Sequence, residues 1–197
     1  MPIPRTTRIL TRTALLLSLA LIFQVFGRDL AFGLGLGTDQ TFFVGPLVNL
    51  CLLVATAYAG LWSGIAIAVL SPLGAYAIGV QTEPVFLAAI SVANLILVLT
   101  FAVADHMAEP LKFRPKLIVR SFGILVGAAL KTAWLWGGIL IYERLFAMKE
   151  PTRSAMLNNF SWPQAVTAAV GGVLALAVLL LLEKSFPIRK PVPNTNP

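Results

Sequence analysis

Ser121-Phe122-Gly123-Ile124-Leu125-Val126-Gly127-Ala128-Ala129-Leu130-Lys131-Thr132-Ala133-Trp134-Leu135-Trp136-Gly137-Gly138-Ile139-Leu140-Ile141-Tyr142 holds one charge in 22 residues, Lys131 near its middle. A helix of that length rises about 33 Å. The hydrocarbon core of a bilayer is about 30 Å thick. The stretch therefore reads as a membrane span. The rest of the chain agrees, being 58% hydrophobic and only 12% charged, with a mean hydropathy of +0.86. Soluble domains carry about 25% charged residues. That excludes a soluble enzyme, a disordered chain and a disulfide scaffold, the last also because Cys51 stands alone.

Five further apolar runs flank this one. The spans read as 13–26, 45–60, 61–80, 84–104, 121–142 and 161–182. Residues 1–186 thus form a single six-helix membrane domain, all-α. The proline-rich 187–197 is a disordered cytoplasmic tail. Arg5, Arg8 and Arg12 before the first run resemble a signal peptide, but no small-x-small cleavage site follows Phe26. Pro46 is placed to open the second span, where its missing N–H costs nothing. Pro72 is expected to kink the third. Spans two and three are joined so tightly near Leu61-Trp62-Ser63-Gly64 that they read as a helical hairpin. Ser161-Trp162-Pro163-Gln164 has the spacing of a capping box. Asp105 to Arg120 reads as a charged connection between spans four and five.

With both termini cytoplasmic, ten Lys and Arg lie inside and four outside: Arg28, Arg144, Lys149 and Arg153. This is a positive-inside bias, and it places the protein in the cell membrane as a multi-pass chain. The +7 balance could suggest nucleic acid. The basic residues are, however, split among short loops, so no nucleic-acid partner is expected.

Several chemistries are missing from the residues. There is no G-x-x-x-x-G-K-[ST] loop, so the chain itself does not hydrolyse ATP by that route. Gly33-Leu34-Gly35-Leu36-Gly37 reads as a flexible loop. Asp105, His106 and Glu109 read as a solvated helix end, not a metal site, and Cys51 as a packing residue. No span carries an acid or a histidine, which argues against a membrane enzyme. Neither a metal nor a cofactor is expected.

Polar groups within the spans are the candidate site. Lys131 lies near the bilayer centre, too far from either interface for easy snorkelling. Burying it costs about 3 kcal/mol on insertion scales. Its face carries Gly127, Ala128, Trp134 and Gly138, which suits a cavity with one charge and one ring. The alternative is close packing, with Lys131 bonded to carbonyls of a neighbouring helix. Asn94 in span four either contacts substrate or bonds another helix, and Asn49 in span two reads as structural. Gln164 and Thr167 share the outer start of span six, where the positive helix end favours an anion. Asn158, Asn159 and Trp162 flank that mouth, and Trp162 also suits an interfacial belt. The polar half is thus spans four to six. Spans one to three are smooth and rich in small residues, including Ala14 and Ser18.

The chain resembles the substrate-binding S component of an energy-coupling factor (ECF) vitamin transporter. The resemblance spans nearly the whole length. It rests on Gly45-Pro46-Leu47-Val48-Asn49, Leu70-Ser71-Pro72-Leu73, Ala93-Asn94-Leu95-Ile96-Leu97-Val98, Leu130-Lys131 and Trp162-Pro163-Gln164-Ala165-Val166-Thr167-Ala168, in that order. It implies a bacterial cytoplasmic membrane protein that captures a water-soluble vitamin or related molecule outside. It implies docking on a transmembrane coupling subunit driven by two ATPase subunits. An A-x-x-x-A pattern in span one serves that docking in the family, and here Ala14 and Ser18 match it with Ser in the second place. Substrate binds among spans four to six, so Lys131, Asn94, Trp134, Gln164, Thr167 and Asn158 are the implied contacts. A structural or regulatory multi-span protein without a ligand, such as a cell-shape scaffold subunit, is the alternative.

Overall fold

The computed structural model describes residues 4–33, 41–80, 84–146, 150 and 152–185. The Gly-rich run beyond Gly33, Lys149 and the tail from Pro187 lie outside them. Seven α-helices and one π-helical turn make up most of the described chain: α1 (Arg5–Gly33), α2 (Thr41–Val54), α3 (Leu61–Ala77), α4 (Val85–Ala108), α5 (Phe113–Phe146), α6 (Thr152–Phe160) and α7 (Trp162–Ser185), with the π-helical turn between α2 and α3. No strand occurs among the described residues. Five segments are long and apolar enough to cross a membrane: Arg5–Leu30, Thr41–Ala59, Phe86–Ala108, Phe113–Phe146 and Met156–Ser185. Leu61–Ala77 is a shorter apolar helix. The protein is therefore an all-α, multi-span membrane protein.

The α2–α3 hairpin turns on one residue. Val54 passes into a π-helical turn, Ala55–Ala59, which ends when the Gly60 N–H donates to the Ala55 carbonyl at 3.0 Å. Gly60 then takes φ +106°, a conformation that a side chain would strain, and α3 begins at Leu61. The other end of α3 closes with a Schellman motif. Val80 N–H donates to Ala75, Gly79 N–H donates to Tyr76, and Gly79 sits at φ +72°. The helix thus stops at Ala77, not at Val80.

Two expectations are corrected here. Pro46 does not open α2: the helix starts at Thr41, because Thr41-Phe42-Phe43-Val44 continues the apolar pattern, and Pro46 lies inside and buried. Asp105 to Arg120 is not a connecting loop. It is the last turn of α4, a short turn and the first two turns of α5. The sequence reads as charged and therefore solvated, but Arg120 pairs with Asp105 across the two helices, and Arg120 and Lys116 pair with Glu183 of α7.

Packing is antiparallel between sequence neighbours. Residues 123 and 127 of α5 lie against Ala104, Thr100 and Leu97 of α4, and the missing side chains let the two backbones approach. Gly171 of α7 meets α2 as closely: a Cβ there would lie 2.5 Å from the Pro46 carbonyl oxygen and 2.7 Å from Asn49 Cβ. The core runs down the middle as Leu53, Leu97, Phe101, Ile124, Ala128, Ala168, Ala175 and Leu179. Arg12 of α1 donates to the Tyr58 carbonyl, and Tyr58 shares a pocket with Lys116, Arg120 and Glu183. The start of α1 and the end of α7 are therefore at the same end of the bundle.

Spans one to three are not smooth. Gln24 Nε2 donates to Ser71 Oγ at 2.7 Å, and Thr13 Oγ1 donates to Ser63 Oγ at 2.7 Å, stapling α1 to α3. Their small residues also divide. Ala55, Ala59, Gly64 and Ala68 are buried within the chain, whereas Ala14 and Ser18 are exposed on α1 beside Leu15, Leu19 and Ile22.

Candidate functional site

Three buried polar side chains from three helices meet in the middle of the bundle. Lys131 Nζ of α5 donates to Asn49 Oδ1 of α2 at 2.8 Å and to Asn94 Oδ1 of α4 at 2.9 Å. The three residues are 4%, 1% and 3% exposed. Lys131 follows the start of α5 by 18 residues, about 27 Å of rise, so the ammonium lies deep in the apolar bundle. None of the ion pairs formed among the described residues includes Lys131. Two amide oxygens thus solvate the charge without neutralising it.

Each partner is placed by local chemistry. Asn94 is on the α4 face that carries Ala93, Leu97, Val98 and Phe101 into the core. Asn49 follows Pro46 by one turn, on the face of α2 that Gly171 allows α7 to approach. Asn49, which reads in the sequence as a structural hydrogen-bonding residue, makes an interhelical bond, and its partner is Lys131. The available signal was a lone amide in an apolar run, and sequence spacing does not reveal which helix it faces.

The remaining predicted site residues are elsewhere. Trp134 is 47% exposed, and its indole N–H donates to the Ala89 carbonyl at 3.1 Å instead of joining the Lys131 cluster. Gly127 does not leave the expected space, because Thr100 and Leu97 fill it. Gly138 does: nothing lies within 4 Å of where its Cβ would be. Thr167 is fully buried against residue 45 and donates to the Gln164 carbonyl. It sits one turn before Gly171, the residue that touches Asn49.

Gln164 does work as a tie at the start of α7. Its Nε2 donates to the Asn159 carbonyl at 2.8 Å, bonding the last turn of α6 to the first turn of α7. Asn159 Oδ1 in turn accepts from Thr41 at the start of α2. Asn158 is exposed. The Trp162 ring is exposed and lies 5.6 Å from the Phe42 ring. Beneath α6, Phe86, Ile139 and Met156 are buried together, with Phe86 stacked on Phe160 at 5.8 Å and edge-on to Tyr142. This aromatic cluster closes the end of the bundle toward which α5 runs beyond Lys131. Arg153 pairs with Glu143 across α5 and α6. The Ser154 hydroxyl donates to Glu150 at 2.7 Å and holds that carboxyl below its ordinary range.

The opposite end carries an ionic cluster that sequence reading missed. Arg120, 6% exposed, donates to Asp105 at 2.6 Å and to Glu183 at 2.9 Å, and Lys116 donates to Glu183 at 2.8 Å. These bonds join α4, α5 and α7. Asp105 and Arg120 are 15 residues apart and Arg120 and Glu183 are 63 apart, so no local pattern announces them.

Fold and site together define the class: a multi-span helical membrane protein with a buried ammonium held by two amides. Comparison of the chain with known families, with curated proteins and with solved structures finds no match in any of the three.

Proposed function

We propose that this chain is the substrate-binding subunit of an ECF-type importer, taking a small anionic molecule, such as a vitamin, at Lys131. The observation that carries the reading is the buried ammonium of Lys131, solvated by Asn49 and Asn94 but paired with no carboxylate among the described residues. A charge in that position is costly and by default functional. A ligand carboxylate or phosphate supplies the missing countercharge, and the amide N–H groups of Asn49 and Asn94 are further donors to it. The open space at Gly138 supports room for a ligand two turns beyond Lys131, and entry from the α6 end past Gln164, Thr167 and Asn158 requires release of the α6 tie and of the aromatic cluster that closes that end.

The docking part of the proposal rests on α1. Ala14 and Ser18 are exposed among apolar neighbours, which suits close approach by a helix of a coupling subunit. ATP hydrolysis then belongs to two partner subunits, and the chain is not itself an enzyme. Orientation follows from charge. With Leu61–Ala77 as the sixth crossing, the end of the bundle holding Arg5, Arg8, Arg12, Lys112, Arg114, Lys116, Arg120 and Lys184 is cytoplasmic, against Arg28, Arg144 and Arg153 at the other end.

A ligand-free scaffold has one observation in its favour: no buried side-chain nitrogen or oxygen lacks a hydrogen-bond partner among the described residues. Mass spectrometry of small molecules released from the purified protein separates the two. An anionic molecule retained by wild type and absent from Lys131→Met supports the transporter subunit. No retained molecule, together with no binding from a panel of anionic vitamins, removes it.

A further inference from the structure

A cavity of about 630 Å³ opens beside the ionic cluster, at the end of the bundle where α4 stops and α5 starts. Its charged lining is Asp105, Glu109, Lys116, Arg120 and Glu183, and its apolar wall includes Leu179 and Leu182. The volume is that of a small-molecule site. It lies at helix ends, level with the boundary between hydrocarbon and headgroups of a bilayer. Phe113, Ile118, Phe122 and Leu181, on the outer faces of the same helix ends, are more than 60% exposed and suit contact with acyl chains.

The hydrogen bonds inside the cluster leave capacity of both signs. Arg120 uses Nε and Nη1, and Lys116 uses one of its three hydrogens. Arg120 Nη2 and two Lys116 hydrogens have no partner among the described residues. Among the carboxylates, Glu183 accepts twice on Oε1 and Asp105 accepts on Oδ1, which leaves Oε2 and Oδ2. Glu109 has only a 3.7 Å contact with exposed His106. Three acids and two bases line the cavity, and Arg12 lies 4.0 Å over the ring of the lining Tyr58, so charges of both signs surround the space.

We propose that this cavity binds the headgroup of an aminophospholipid. The primary ammonium of a phosphoethanolamine group has three N–H donors for the free oxygens of Asp105, Glu109 and Glu183. Its phosphate accepts from Lys116 and from Arg120 Nη2. Its glycerol and acyl portions lie along Leu179 and Leu182 toward the membrane. A choline headgroup has no N–H for the carboxylates, and a glycerol headgroup brings no cation to their free oxygens. The site is at the far end of the bundle from α6 and does not depend on a transport function.

The test is native mass spectrometry of the full chain in detergent, titrated separately with dioleoyl phosphatidylethanolamine, phosphatidylcholine and phosphatidylglycerol, and with soluble phosphoethanolamine. Wild type is expected to bind phosphatidylethanolamine about tenfold or more tightly than the other two lipids, the worth of one charge-assisted hydrogen bond. Glu109→Gln and Lys116→Gln each lose about tenfold, with folding checked by thermal unfolding; the exposed Glu109 makes that variant the safer of the two. Equal affinity for all three lipids, or unchanged binding in both variants, overturns the proposal. Soluble phosphoethanolamine binding as tightly as the lipid overturns the lipid as its source. Binding of none of the three lipids, as for a pocket reserved for a partner protein, overturns it as well.

Discussion

Lys131→Met separates a charge kept for a ligand from a charge kept for packing. The substitution removes an ion whose placement near the bilayer centre costs about 3 kcal/mol on insertion scales. It also removes two hydrogen bonds, to Asn49 and Asn94, worth about 0.6 kcal/mol each on average in membrane proteins and about 1.7 at most. The two amide oxygens are then buried without a donor, at about 1 kcal/mol or more apiece. The gain and the losses are of similar size. The stability of Lys131→Met is therefore expected within about 2 kcal/mol of wild type, a melting shift below about 8 °C for a chain of this length. The ligand loses a charge-assisted bond, so its affinity falls tenfold or more. Thermal unfolding in detergent and quantification of the retained small molecule read both terms on one preparation. The triple variant Lys131→Met, Asn49→Leu, Asn94→Leu removes the orphaned oxygens and is expected to regain stability while staying empty. A single variant that keeps its small molecule at wild-type occupancy would refute the reasoning, and so would collapse of the fold in both variants.

Other outcomes follow from named contacts. Arg120→Met leaves Asp105 and Glu183 facing each other in a partly buried site and is expected to cost about 3 kcal/mol in thermal unfolding. Gly171→Val drives a side chain toward the Pro46 carbonyl and Asn49 Cβ. A loss of about 1–3 kcal/mol is expected, along with weaker ligand retention because Asn49 shifts. Ala14→Trp or Ser18→Trp is expected to abolish uptake by the complete complex while leaving ligand retention intact, since both side chains are exposed on the outer face of α1 and neither is among the hydrogen-bond partners of Lys131. Loss of both activities together would instead mark α1 as structural. Gly60→Ala forces a side chain into φ +106° and is expected to destabilise the hairpin by about 1 kcal/mol, measurable by chemical unfolding.

Six apolar runs, their boundaries to within a turn or a few, and an all-α membrane class were determined by the sequence alone. Each rests on a local property: hydropathy over about 20 residues decides whether a helix is cheaper in lipid than in water. Lys131 and Asn94 stood out for the same reason, as polar atoms in an apolar run. What the tertiary structure decided was pairing. Asn49 joins Lys131 from 82 positions away, Glu183 joins Arg120 from 63 away, and Gln24 finds Ser71 across the half of the chain that read as smooth. Trp134 was expected beside Lys131 because it lies three residues on, yet it turns outward to Ala89. Helical spacing puts residues on a common face, but the face that is buried, and the helix it meets, depend on where glycines such as 123, 127 and 171 allow backbones to close. That choice is made by packing among all the helices at once, and no single stretch of sequence contains it.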